Sequence, residues 1–504
     1  MISVGGLDVV AQGILVASLC IATIFLYAFY NVYLHPLRSY PGPRLWCAFR
    51  LPYVVSVQRG KIHTQLTAFH GKYGPVVRIA PNELSYADGA AWKDIYASRP
   101  GHLPFKRNPT WFKKQHPDEP ESIMGPDEDA HARMRRAFAN SFSEKSLRDQ
   151  SPAVEGYVSS MIDNFKRRIN LSKGRRSATV DLTQWLNFLT FDISGDLSFG
   201  ESFDCVKTGK MHYWVEIVQD FGKGLAMVSA LNQYPPIDRL LRFVIPEKIK
   251  QRQLDHRRMS AEKAKKRVHT ESNRPDFVTP ALKYTKDKNQ PFTDDEWAIN
   301  MMIVVFAGSE TTASALTAIM RELVQNRGVL QRLSGEVRQA FDSEQDITIA
   351  STGNLAYLNA VINEGLRLDP PVVIGVPRVM PKGGDIICGK FVPENTYVTY
   401  NQYPSNRQPS NFHSPNTFLP ERFLSPAAGK DDFTTFQPFG IGRHSCIGMK
   451  LALAEMRLVV ARLVYAFDFS LKDAKDRWDW GAQDTFIFWD KKPLNVVIRL
   501  SGEA

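Results

Sequence analysis

The chain has 504 residues, 43% hydrophobic and 11% aromatic, and its 63 basic and 52 acidic side chains leave a formal charge of +11. That length buries a sizeable core, and the excess charge suits acidic partners, anionic lipid or simply a solvated basic surface. Five scattered cysteines with no CxxC pair argue against a disulfide framework, a zinc site or a cysteine-held iron–sulfur cluster, and no recognised motif points to nucleic acid.

The first predicted element is GILVASLCIATIFLYAFY, residues 13–30, which carries no charge. At about 1.5 Å per residue it nearly spans a hydrocarbon core of about 30 Å. Aromatics gather at its distal end, and Arg38, Arg44 and Arg50 follow it. A cleaved signal peptide would carry a basic leading region, and Asp8 is the only charge before this segment ends. The expectation is a retained transmembrane anchor at 13–30, with 1–12 lumenal and the bulk of the chain cytosolic, because positive charge stays on the cytoplasmic side. Residues 31–46 include HPLRSYPGPRLW, whose three prolines and glycine predict a stiff, non-helical linker. Residues 47–504 then read as one catalytic domain.

Within that domain the predicted strands are short: 75–80, 386–392, 397–400, 485–490 and 495–500. The basic stretch 248–274 predicts an exposed helix and loop, with membrane-surface contact as the sharper alternative. Residues 292–323 predict a long helix through the core, opened by Thr293 and Glu296 at capping-box spacing. A second helix covers roughly 354–368 and stops before Asp369-Pro370-Pro371. A third begins near Cys446 and runs to about 464. The fold class is mainly α with minor β.

The stretch FGIGRHSCIG, residues 439–448, concentrates the chemistry. As a dinucleotide fingerprint it fails, because Ser445 occupies the third glycine position and no clean strand precedes it. A nucleophilic cysteine at a helix start is a second reading, though it also needs a base and oxyanion donors. The third is an axial thiolate to haem iron. Glycines permit close backbone approach, a helix N-terminus tempers the sulfur's charge, Phe439 covers it, and thiolate donation favours O–O cleavage.

Phe439, Gly442, Cys446 and Gly448 fall in the register Phe-x-x-Gly-x-Arg-x-Cys-x-Gly. The chain thereby resembles the cytochrome P-450 monooxygenases over nearly its whole length. The resemblance implies the P-450 fold and haem b (iron protoporphyrin IX), with Cys446 as iron ligand. One position departs from the pattern: His444 stands where the family's propionate-binding arginine is usual, with Arg443 one place early. Histidine is an accepted variant; either His444 takes the contact as imidazolium or another cation does.

Three more motifs support the resemblance. Ala307-Gly308-Ser309-Glu310-Thr311-Thr312 matches the oxygen-activation signature, implying that Thr311 hydrogen-bonds at the oxygen site and Glu310 feeds protons. Alone, these could be ordinary helical hydroxyls bonded to the preceding turn. Glu364-x-x-Arg367 and, in PERF, Arg422 imply a buried charge network whose value is specificity of fold. His131-x-x-x-Arg135 and Arg378 resemble the family's propionate contacts; a solvated basic face is the bland alternative for the first pair.

Candidate pocket residues are Phe105, Trp111, Val304, Val305, Val372–Val376 and Phe486–Phe488, implying a lipophilic substrate, although most such residues simply form core. The N-terminal half is similar to fungal secondary-metabolite enzymes of the isotrichodermin hydroxylase type, so a terpenoid or polyketide skeleton is implied, hydroxylated or epoxidised. No flavin or nicotinamide motif occurs. The family's NADPH–cytochrome P-450 reductase is therefore the implied electron source, docking near Arg443, Lys450 and Arg457, with the enzyme in the endoplasmic reticulum membrane. A reductase-independent peroxide rearrangement or a desaturation by the same haem, or a non-catalytic haem sensor, is the alternative; neither the rearrangement nor the sensor needs the Glu310–Thr311 pair.

Overall fold

The structure is a computed structural model that describes residues 4–502 except 115–118, 173–175, 236–242, 244–245, 426–428 and 430. The first helix runs Val4–Phe29 and continues as a π-helical turn, Tyr30–Leu34. It thus starts nine residues before the predicted boundary, inside the stretch assigned to a lumenal tail. The apolar span long enough to cross a bilayer is Val10–Leu34, and none of its most apolar window is buried in the protein. The proline-rich stretch after it is no free spacer. Leu37, Tyr40 and Trp46 are buried, and a short helix, Arg44–Ala48, closes it. Asn31 donates to the Ala48 carbonyl at 2.9 Å while Arg78 donates to the Asn31 carbonyl at 2.8 Å. These bonds tie the end of the apolar helix to the body.

The body is mainly helical. Its axis is the central helix Asp294–Gln325, whose capping box is formed as predicted: Thr293 accepts from the Glu296 N–H, and Glu296 accepts from Thr293. Asp294, Asp295 and Glu296 in the first turn complement the helix dipole. Most of this helix is buried, packed against Leu182–Phe199, Glu247–Val268 and Met449–Ala466. The basic helix Glu247–Val268 is only half what the sequence suggested. It buries His256, Ser260, Ala264 and Arg267, and Arg267 pairs with buried Asp276 at 2.7 Å. Its outer lysines 263 and 266 pair with Glu201.

The strands form small sheets. Val76–Ala80 and Glu83–Tyr86 make a hairpin; Glu83–Tyr86 runs parallel to Tyr397–Tyr400, which pairs antiparallel with Arg378–Val379, and that strand pairs with Lys106–Arg107. The register sets Arg107 opposite Arg378. The predicted strands 386–392 and 485–490 are hairpins, Asp385–Ile387 with Lys390–Val392 and Thr485–Phe486 with Phe488–Trp489. Each folds at a residue of positive φ, Cys388 and Ile487.

The ExxR network is formed and buried. Arg367 holds Glu364 through two bonds of 2.7 and 2.8 Å. Arg422 approaches Glu364 at 3.2 Å and Asp431 at 2.7 Å. Arg367 also donates to the Asn406 and Pro415 carbonyls, so the cluster pins the loops leading toward the cysteine. Asp431 is a member that the motif reading did not include.

Candidate active site

Cys446 lies between the central helix and the start of the helix Met449–Ala466. Two cavities meet at its thiol. Both are lined by Thr311, Thr312, His444, Cys446 and Ala452. The thiol is enclosed by protein yet open to this space. Burial pushes its pKa up, while the Gly448 N–H, the Arg135 charge and the Met449 N–H pull it down. Those N–H groups open the helix, so the helix-start environment read from the sequence exists, three residues ahead of the first helical residue.

One glycine of the loop is required by the chain itself. Gly442 has a φ of +75°, and a Cβ on it would stand 2.1 Å from the Tyr96 carbonyl oxygen. The loop is thus shaped by contact with its own chain. The Cys446 N–H donates to the Phe439 carbonyl at 2.8 Å, closing the turn, and Phe439 lines the second cavity.

Thr311 faces Cys446 across both cavities, its hydroxyl donating to the Ala307 carbonyl at 2.6 Å. Glu310 points elsewhere. It is ion-paired with Lys491, which also reaches Ser314 at 3.2 Å, and it lines a separate cavity with Phe306, Phe486, Phe488 and Trp489. Successive helix positions point about 100° apart, so the neighbours Glu310 and Thr311 occupy different sides of the helix.

The cations converge as expected, with additions. His131 Nδ1 bonds the Ile123 carbonyl at 2.7 Å, and its ring stacks at 4.3 Å on His444. Arg135 donates to the Ser445 carbonyl at 2.6 Å. Arg378 is 3% exposed with its Nη1 unsatisfied. Opposite it, Arg107 is 5% exposed with Nε unsatisfied. Burial first, then the Arg378 charge, brings Arg107 down to about 9. Two like charges on neighbouring strands, each with an idle donor, suit an anion before them in addition to Glu128.

Sequence reasoning missed Arg107 and also Glu128. The Glu128 carboxylate lies 3.2 Å from both Arg443 and His444 Nε2. The histidine contact is off the hydrogen-bonding direction, so Nε2 remains unsatisfied. Burial opposes Glu128 ionisation, but His444, Arg443 and Arg107 hold its pKa at about 2. Burial lowers His444 to about 4; Glu128 raises it, against Arg378 and Arg107. Burial thus disfavours the imidazolium form of His444, and Arg107 is a further buried cation beside it.

Of the pocket candidates, Val304, Val372, Ile374, Gly375 and Val376 line the two cavities. Phe105, Val305 and Val373 are core, Trp111 packs on another cluster, and Phe486 and Phe488 belong to the Glu310 cavity.

The donor set fits a flat, dianionic macrocycle bound through sulfur. It offers an open thiol, an apolar slot beside it, and paired arginines with idle N–H groups at its edge. The Cytochrome P-450 family model matches residues 40–496. Cytochrome P-450 monooxygenase astJ of Aspergillus oryzae is 40% identical over 470 residues, covering 92% of each chain. Cytochrome P-450 monooxygenase atr2 of Stereocaulon alpinum is 38% identical, covering 97% of this chain and 96% of its own. A trichothecene C-15 hydroxylase of Fusarium sporotrichioides is 36% identical, covering 95% and 96%. On this match and this thiol-centred cavity, the chain belongs to the cytochrome P-450 family of haem-dependent monooxygenases.

Proposed function

We propose that this enzyme inserts one oxygen atom of O2 into a lipophilic secondary metabolite of terpenoid or polyketide type, by hydroxylation or epoxidation, using haem b ligated by Cys446. The carrying observation is the Cys446 thiol opening into an apolar cavity opposite Thr311. When bound, the haem supplies dioxygen binding and its reductive activation.

The chain's own residues do the rest. Cys446 gives sulfur ligation, with the Gly448 and Met449 N–H groups tempering its charge. Arg107 and Arg378, with His131, Arg135 and His444 beside them, hold the two propionates. Phe439 shields the sulfur side. Thr311, whose hydrogen is engaged by Ala307, keeps its lone pairs free to accept a hydrogen bond at the oxygen site. Glu310 supplies protons to that side of the helix only after parting from Lys491. Val304, Val372, Ile374 and Val376 give the apolar wall, which suits a substrate with few polar groups. The name of the trichothecene hydroxylase relative supports a sesquiterpenoid among the candidates.

NADPH–cytochrome P-450 reductase is the proposed electron source. Arg443 and Lys450 are exposed near the cysteine loop, each paired with a carboxylate, Glu128 and Glu144, that an acidic partner would displace. Arg457 is held by Asn359 at 2.7 Å and suits docking less. The Val10–Leu34 span supports a single-pass anchor in the endoplasmic reticulum membrane with residues beyond it cytosolic. The test is turnover with reductase, NADPH and isotopically heavy O2 against a panel of terpenoids and polyketides. A product carrying one heavy oxygen atom is expected; a rearranged product with none overturns the assignment.

A further inference from the structure

Asn300 stands on the central helix and is fully buried. It lies four, seven and eleven positions before Val304, Ala307 and Thr311, so all four share one face of that helix. The last three line the cavity at Cys446, and Asn300 is one turn beyond them. Its Nδ2 donates to the Glu296 carbonyl at 2.7 Å and to Met134 Sδ at 3.4 Å. Those bonds fix which way the amide points. Its Oδ1 accepts the Ile123 N–H at 2.8 Å.

Ile123 belongs to a stretch, 119–127, with neither helix nor strand, yet both its backbone groups are engaged. The N–H goes to the central helix through Asn300. The C=O accepts from His131 Nδ1 at 2.7 Å and from Arg107 Nη1 at 3.1 Å. Arg107 Nη1 also donates to the Gly125 carbonyl at 2.6 Å. Three elements therefore converge on one loop residue: the central helix, the helix Glu128–Ala139 and the strand Lys106–Arg107. The side chains of Ile123 and its neighbour Met124 both line the cavity at Cys446, and Met124 borders the second cavity as well. A loop without a backbone ladder keeps a fixed wall only through such tethers. His131 and Arg107 also belong to the proposed propionate set. Asn300 does not, and it is the tether dedicated to the loop.

We infer that Asn300 is a positioning residue for substrate selection: by holding the Ile123 N–H it fixes Ile123 and Met124 as a wall of the cavity. The wall decides what shape of molecule fits opposite Cys446. This rests on the monooxygenase reading above. Asn300 acts through the loop and not through contact with the reacting atoms. The bond joins a buried amide to the N–H of a buried residue, 9% exposed. Removing the acceptor leaves that N–H without a partner, a cost the loop relieves by turning the N–H toward water. Ile123 and Met124 then move with it.

The test uses the full-length, haem-loaded protein and two nitrogen ligands of haem iron, imidazole and 1-phenylimidazole, titrated by their Soret shifts. Asn300→Leu keeps the side-chain volume and removes the acceptor. Imidazole, too small to meet the wall, should bind as it does to the wild type. The larger 1-phenylimidazole should bind at least about three-fold more weakly, because the wall it packs on is no longer held in place. Equal shifts for both ligands, or no shift for either, overturn the inference. A second measurement needs no variant. With hydrogen exchange read at single amides, the Ile123 amide of the wild type should exchange at least about ten-fold more slowly than a free loop amide. Free exchange there overturns the inference even if Asn300→Leu fails to fold. A wild type that lacks a thiolate-type spectrum with carbon monoxide would instead sink the haem-thiolate reading, whatever the Ile123 amide does.

Discussion

Gly442 is the residue whose replacement is most constrained. Its φ of +75° and the 2.1 Å approach of the Tyr96 oxygen leave no room for a Cβ. Gly442→Ala should lower stability by about 1–3 kcal/mol through left-handed strain alone, and more if Tyr96 cannot yield; thermal unfolding reads it. Arg107→Ala should weaken haem retention on dilution more than Arg135→Ala does, because Arg107 is the buried cation with an idle donor while Arg135 is already bonded to Ser445. Glu128 gives a pH prediction. Its folded pKa of about 2 lies below the ordinary carboxylate value, so its stabilisation is complete above that ordinary value and is lost as pH falls toward 2. The acid unfolding of Glu128→Gln should lack this component.

Cys446, His131, Arg135, Phe439 and His444 were legible because each sits in a contiguous stretch with a fixed spacing. Arg107 and Glu128 were not. Arg107 gains its place from a strand register with Arg378, and Glu128 from a helix packed against the cysteine loop. None of these relations has a local sequence pattern. Glu310, adjacent to Thr311 in sequence and read with it as one relay, lines a different cavity from Thr311.

At the scale of elements, helices were read well where caps mark them. The central helix opens at its Thr293–Glu296 box, and Thr293→Ala should cost about 1 kcal/mol, measurable by denaturant unfolding. The short strands were located but two were misjudged as single: Cys388 and Gly389, both at positive φ, make the first turn, which Gly389 signals, whereas the second turns on Ile487, which carries no such signal. The Glu364 network is where elements are fastened to one another. Removing its carboxylate leaves Arg367 buried without its anion and Arg422 with Asp431 alone. Glu364→Gln should destabilise by about 3–5 kcal/mol and reduce folded, haem-loaded protein.

The whole molecule is a helical body joined to an apolar helix, and the join is more rigid than its prolines alone implied. Asn31 and Arg78 bind the end of the apolar helix to the first sheet and to Ala48. A chain starting at Tyr30 should leave the membrane fraction yet unfold near the full-length temperature. One starting at His35 should lose stability, because Arg78 then loses the Asn31 carbonyl. Fractionation and thermal unfolding of both separate anchoring from structural support.

The central claim is that Cys446 ligates haem iron as a thiolate at the meeting point of the two cavities. The carbon-monoxide difference spectrum of the reduced full-length protein tests it most directly. The wild type should give the red-shifted Soret band of thiolate ligation and Cys446→Ser should abolish it. A histidine-type band in the wild type, or a thiolate band that survives Cys446→Ser, would contradict it.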